Sequence, residues 1–196
     1  GRARRSLQRA AGRAAAAGAV SARHAVVVAG ATGLVGGACV RALSARAADR
    51  ARVTAIALVR RAGALAPAHG LRVEVVDYER LDASAAVFDG ARAIVCALGT
   101  TIRAAGSEAA FRRVDHDYVL SLARLGRAAG VEHFGLVSAL GADAGSRVFY
   151  NRVKGDMEAD VAALGFEQVN FAQPSLLMGD RASLGQPERA GELWTM

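Results

Sequence analysis

His24-Ala-Val-Val-Val-Ala29, followed at once by Gly30-Ala-Thr-Gly33-Leu-Val-Gly36-Gly37, is the stretch that decides how this chain folds. The first six residues form a short apolar, β-branched run, the signature of a strand buried on both faces. The glycines come next, and Ala38–Ala48 has the composition of a helix. Strand, glycine turn and helix in that order give the glycine spacing its meaning. The first glycine permits the tight turn, the second lets backbone approach a pyrophosphate, and the third lets helix and strand pack closely. Unpaired N–H groups and a partial positive charge at the helix start then face the anion. The spacing is G-x-x-G-x-x-G. An ordinary βα turn with surplus glycine is the plainer alternative, but the strand before and the helix after favour dinucleotide binding.

The rest of the chain extends the pattern. Val53–Val59, Leu71–Val76, Ala91–Leu98, His133–Val137 and Glu167–Ala172 read as further strands. Helices are expected at Ala83–Phe88, at Glu108–Ala129 and at Val148–Leu164, the second with apolar positions at Phe111, Val114, Tyr118, Leu122 and Leu125. Strands apolar on both faces that alternate with helices imply a parallel sheet covered on both sides. The expected fold is α/β: a doubly wound, mostly parallel Rossmann-type sheet, with a C-terminal region that is short for a substrate-covering part. The domain is read as 24–196, preceded by a basic Ala/Arg tail at 1–23.

The strand ends say which dinucleotide. An acid at the end of the second strand would hold the 2′-hydroxyl of NAD, and a basic residue would take the 2′-phosphate of NADP. This strand ends Leu58-Val59-Arg60-Arg61 with no acid. The planar fork of arginine suits a phosphate, so NADP(H) is expected in preference to NAD(H). A solvated charge pair in an arginine-rich chain is the competing account. Asp77, ending the third strand, is read either as an acceptor for the adenine amino group or as a turn cap. The fourth strand ends Leu98-Gly99-Thr100-Thr101, where glycine would admit the cofactor and the hydroxyls hold ribose or phosphate.

Of the chain's 25 basic residues, only Lys154 is a lysine, and it lies four residues after Tyr150. An i, i+4 pair shares one helical face. A phenol is a poor acid–base group at neutrality, and a neighbouring ammonium favours its phenolate form. Such a tyrosine can give or take the proton that accompanies a hydride transfer. The ammonium can also hydrogen-bond the nicotinamide ribose. Ser138, twelve residues before Tyr150 at the end of the fifth strand, offers a hydroxyl to orient a substrate carbonyl.

With GATGLVG (30–36), LVRR (58–61), VVDYERLD (75–82), CALGTT (96–101), FRRVDHDYVL (111–120), HFGLVSALGAD (133–143), YNRVKGDMEADV (150–161) and QPSLLMGDR (173–181) in view, the chain resembles an atypical short-chain dehydrogenase/reductase. It is most similar to the small NADP(H)-binding oxidoreductase family named for a human protein that interacts with the viral Tat protein, and to its bacterial relatives. The resemblance implies an NADP(H)-binding domain with Tyr150, Lys154 and Ser138 in the reductase positions. It also implies a cofactor contact near Pro174, beside Gly30, Thr32, Gly33, Leu34, Val35 and Gly36 of the turn. Three departures bear on turnover more than on cofactor binding. The family's Ser-Ser pair is Ser138-Ala139 here, its Arg-Pro pair is Gln173-Pro174, and the chain ends at Met196 where relatives continue. An NADP(H)-dependent reductase acting on a small carbonyl or alcohol is the leading reading. An epimerase or dehydratase, or a cofactor-binding regulator without chemistry, are the alternatives.

The net charge of +7 suggests a nucleic-acid partner until it is divided along the chain. Six arginines and no acid lie in residues 1–23, leaving 19 basic against 18 acidic residues beyond them. The folded part is close to neutral, so neither nucleic acid nor membrane is expected as a partner. A small-molecule substrate is expected, and association of two copies as a homodimer stays open. The tail reads as an incidental or structural arm in a cytoplasmic protein, with an organellar transit peptide as the alternative. Cys39 and Cys96 are too far apart for a cysteine metal motif, and the four histidines do not cluster, so no metal is expected. Asp115 and Asp117 are read as a solvated or capping face, Arg112 and Arg113 as solvated, and Tyr118 and Cys96 as core.

Overall fold

A computed structural model describes residues 24–48, 53–175 and 177. The expectations for residues 1–23 and for the segment beyond 177 lie outside these residues. Six parallel strands form one sheet in the order β3-β2-β1-β4-β5-β6. They are β1 (His24–Ala29), β2 (Val53–Val59), β3 (Leu71–Val75), β4 (Ala91–Cys96), β5 (His133–Val137) and β6 (Gln168–Ala172). Strand order reverses between β1 and β4, and ligands bind such sheets in the crevice at that reversal.

Period-two alternation splits the core into two layers. Val27, Ile56, Leu58, Ile94, Phe134 and Leu136 face one layer, which the helices after β4 and β5 close with Val119, Leu122, Met157 and Val161. Val28 and Ala57 face the other, closed by Val40 of helix α1 (Leu34–Ala48). The core is rich in small residues, but its largest fully buried side chains are Phe88, Phe111 and Phe134. The edge strands β3 and β6 are only half-buried.

Strands β1, β2 and β5 fall where the sequence reading places them. Helix α1 starts earlier than expected, at Leu34, with Gly36 and Gly37 inside its first turn. The Gly37 amide already donates to the Gly33 carbonyl at 2.8 Å. In place of a short α-helix at 83–88 there is a 3₁₀ stretch, Tyr78–Phe88, with non-helical backbone at Arg80 and Ser84. A one-turn helix, α2 (Ile102–Ala105), follows β4 and was not anticipated. The largest correction concerns the long helix at 108–129. It is α3 (Glu108–Arg112), a π turn (Arg113–Asp117) and α4 (Tyr118–Ala128) in unbroken helical succession. Helix α5 (Phe149–Ala162) joins β5 to β6.

Candidate functional site

Two cavities open at the carboxyl ends of β1, β2 and β4, and they share Gly33, Ala97, Leu98, Gly99 and Thr100 as a common wall. The larger, about 360 Å³, runs from Gly30 and Thr32 past Leu58, Val59 and Arg60 to Tyr78, Val114 and Tyr118. Its turn is set by backbone. Gly30 has φ of 76°, and a Cβ there would sit 2.4 Å from the Ala97 carbonyl oxygen. A Cβ on Gly36 would sit 2.2 Å from the Gly30 carbonyl oxygen. Only glycine lets the helix start so close to the strand end. The far wall is aromatic: Tyr78 and Tyr118 stack with centroids 5.6 Å apart, and the Tyr118 hydroxyl donates to Glu79. Desolvation first, and then that carboxylate, push the Tyr118 phenol up to about 12.

The smaller cavity, about 110 Å³, carries Leu34, Val35, Asp115, Ser138, Tyr150 and Lys154. Its polar floor is a buried ion pair: Lys154 Nζ lies 2.7 Å from Oδ1 of Asp115, the side chains 4% and 1% exposed. The Thr100 amide donates to Oδ2 of the same carboxylate at 2.8 Å. Asp115 thus joins the β4 loop to α5. The expectation of a solvated or capping Asp115 is overturned: it is fully buried, four residues after Phe111 and four before Val119 on one helical face, while Val114 and Tyr118 line the larger cavity. Ser138 is buried, and its hydroxyl has no hydrogen-bond partner among the described residues. Tyr150 packs its ring on Phe111, centroids 5.3 Å apart.

The cleft therefore brings together Gly30, Thr32, Gly33, Leu34, Val35, Arg60, Leu98, Gly99, Thr100, Ser138, Tyr150 and Lys154. Gly36 serves it from behind, through packing. Arg61 is exposed and lines neither cavity. Asp77 lines neither: it takes the cap role, accepting from the Glu79 amide at 3.0 Å and Arg80 Nε at 3.1 Å, which hold its carboxyl below the ordinary range. Thr101 is also a cap, its hydroxyl accepting from the Ala104 amide at 3.0 Å. Pro174 acts at one remove, its carbonyl accepting from the Leu140 amide and so tying down the loop after Ser138. Gln173 donates to Glu158 of α5. Burial pushes the Cys96 thiol up to about 12, in keeping with an inert core cysteine. Among the described residues no group of His, Cys, Asp and Glu could hold a metal, and no helix is long and apolar enough to cross a membrane.

The family model described as NAD(P)H-binding matches residues 30–165, which include the glycine turn, Ser138, Tyr150 and Lys154. The chain belongs to that NAD(P)H-binding family. Protein HTATIP2 of Rattus norvegicus is 46% identical over 119 residues, covering 61% of this chain and 47% of the rat protein. The mitochondrial protein FMP52 of Saccharomyces cerevisiae is 32% identical over 169 residues, covering 85% of this chain and 71% of its own. The chain is related to HTATIP2, and its match spans about half the length of the rat protein. Among solved structures, the Bordetella bronchiseptica enzyme WbmG in complex with NAD superposes with a TM-score of 0.62 at 15% identity. That match covers 86% of this chain and 62% of WbmG, and it speaks to the fold alone.

Proposed function

We propose that the chain binds NADP(H) in preference to NAD(H) and moves a hydride between it and a small carbonyl or alcohol. The observation that carries this reading is the continuity of the cleft, from Arg60 across the glycine turn to Ser138, Tyr150 and Lys154. The turn suits a diphosphate because Gly30 and Gly36 let α1 start hard against the end of β1, which leaves the start of that helix, at Leu34 and Val35, lining the cleft. Amides at the start of α1, at Leu34 and Val35, would hold the diphosphate, with the Thr32 hydroxyl beside them. Arg60 would take the 2′-phosphate, and Leu98, Gly99 and Thr100 would back the riboses. A bound nicotinamide supplies or accepts the hydride. Tyr150 holds the proton that the substrate oxygen gains or loses. Lys154, anchored by Asp115, offers its remaining N–H donors to the nicotinamide ribose and to the phenol oxygen. The Ser138 hydroxyl, otherwise without a partner, donates to the substrate oxygen.

A second reading, a cofactor-binding regulator without chemistry, draws on the Asp115 carboxylate. It neutralises Lys154 and so weakens the pull of the ammonium on Tyr150. Ala139, where the family has a second serine, points the same way. Fluorescence titration and turnover on a panel of carbonyl compounds separate the two. Arg60→Ala is expected to weaken NADPH about 10–100-fold, as expected for lost charge-assisted hydrogen bonds, and to leave NADH unchanged. Tyr150→Phe is expected to lower kcat by about 10²–10⁴-fold with cofactor affinity retained. Cofactor binding with no turnover that depends on Tyr150 selects the regulator.

For location we take the organellar alternative. The FMP52 relatives are named mitochondrial, and residues 1–23 are arginine-rich and acid-free, the composition of a transit peptide. Residues 1–23 fused to a fluorescent protein in yeast are expected to carry it to mitochondria; diffuse cytosolic fluorescence rejects the assignment.

A further inference from the structure

His116 is buried in the π turn, lines neither cavity and has carboxylates at both ring nitrogens. Nδ1 lies 2.8 Å from Oδ1 of Asp117, and Nε2 lies 2.9 Å from Oδ2 of Asp160 on α5. Four residues before it, Arg112 meets Asp156 of the same helix at 2.8 Å. Basic side chains at 112 and 116 thus face acids at 156 and 160, with equal four-residue spacing on both helices, so the two pairs form one ladder. Asp115, which grips Lys154, immediately precedes His116 in the same π turn. A π turn places its residues off the ordinary helical register and is frequent at functional sites. Phe111 and Val119, both fully buried, pin the helices on either side of the turn. The turn itself is held by polar contacts, and its second buried polar residue is His116. An apolar residue would fill the same space without burying ring nitrogens that must be satisfied.

We propose that His116 is a positioning residue. Through Asp160 it fixes the π turn against α5, and so fixes the Asp115 carboxylate that places the Lys154 ammonium. This rests on the reading of Lys154 as a contact of the nicotinamide-side ribose. It separates the two halves of the cleft: loosening His116 disturbs the end with Lys154 and spares the end with Arg60.

The test titrates the full chain with NADPH and with adenosine 2′,5′-bisphosphate, which carries the Arg60 half alone. In His116→Ala, NADPH binding is expected to weaken about tenfold, the worth of one misplaced charge-assisted hydrogen bond, with the bisphosphate unchanged. Asp160→Ala is expected to lose the same, and the double variant no more than either single one, because one contact is being removed twice. Asp160 is half-exposed, so its variant carries the test if His116→Ala fails to fold. Equal losses for both ligands, additive losses, or unchanged NADPH affinity overturn the proposal. A wild-type chain that binds neither ligand removes the cofactor reading itself, and the proposal with it.

Discussion

Asp115→Ala is expected to lose about 3–5 kcal/mol of folding stability, the cost of leaving a buried charge without its partner. Lys154 is 3% exposed, so water cannot replace the carboxylate without opening the interface between the π turn and α5. The Thr100 amide loses its acceptor in the same substitution, which frees the β4 loop that walls both cavities. Urea denaturation measures the loss. A second variant separates stability from function. Replacing both partners with apolar residues, Asp115→Leu with Lys154→Met, removes two desolvation costs along with one attraction. Such exchanges are often neutral or stabilising. The double variant is expected to recover most of the stability and none of the NADPH affinity that Lys154 contributes. A double variant as unstable as Asp115→Ala, or one that binds NADPH like the wild type, contradicts the role given to the pair.

That pair also marks the limit of what was legible in the chain. The glycine turn was legible because its requirement is local: a backbone that must bend and approach an anion admits few residue types. Strands β1, β2 and β5 were legible to the residue, each a short, largely apolar run with an abrupt end. At β3 and β4 the apolar run continues past the last paired residue toward the crevice, so composition overshot the pairing. The burial of Asp115 was not legible from apolar positions alone. Counting them from Phe111 through Val114, Tyr118 and Leu122 finds the buried Phe111 and Leu122 and passes over the acid between them. A signal was present all the same. Asp115 stands four residues after Phe111 and four before Val119, so an acid interrupts what would be an apolar row. The cap role of Asp77 was among its two readings, and that of Thr101 was not. Both residues stand at strand ends near the crevice, but each is followed by a helical turn whose free amides its side chain satisfies. The cap is the nearer partner, and it took the side chain.

Gly36→Ala is expected to cost about 1–3 kcal/mol in stability and to abolish measurable dinucleotide binding, although the substitution adds one methyl group to a helix. On an exposed helix the same change is favourable, since alanine is the better helix former. Here the new carbon would lie 2.2 Å from the Gly30 carbonyl oxygen and 2.6 Å from the carbonyl carbon. Both are backbone atoms, so no side chain can swing aside. The start of α1 must lift off the end of β1, or the Gly30 turn must open. Opening that turn moves Gly30 away from Ala97, which is packed against it just after β4. Either movement displaces the amides of Leu34 and Val35 from the cleft, so binding falls further than stability does. Gly37→Ala provides the control one residue along. A Cβ there meets the Arg41 guanidinium at 3.4 Å and the Ala31 carbonyl oxygen at 3.5 Å, ordinary contact distances. That variant is expected to keep both its stability and its NADPH affinity. Equal behaviour of the two alanine variants in thermal unfolding and in NADPH titration would mean that close approach at Gly36 does not shape the cleft.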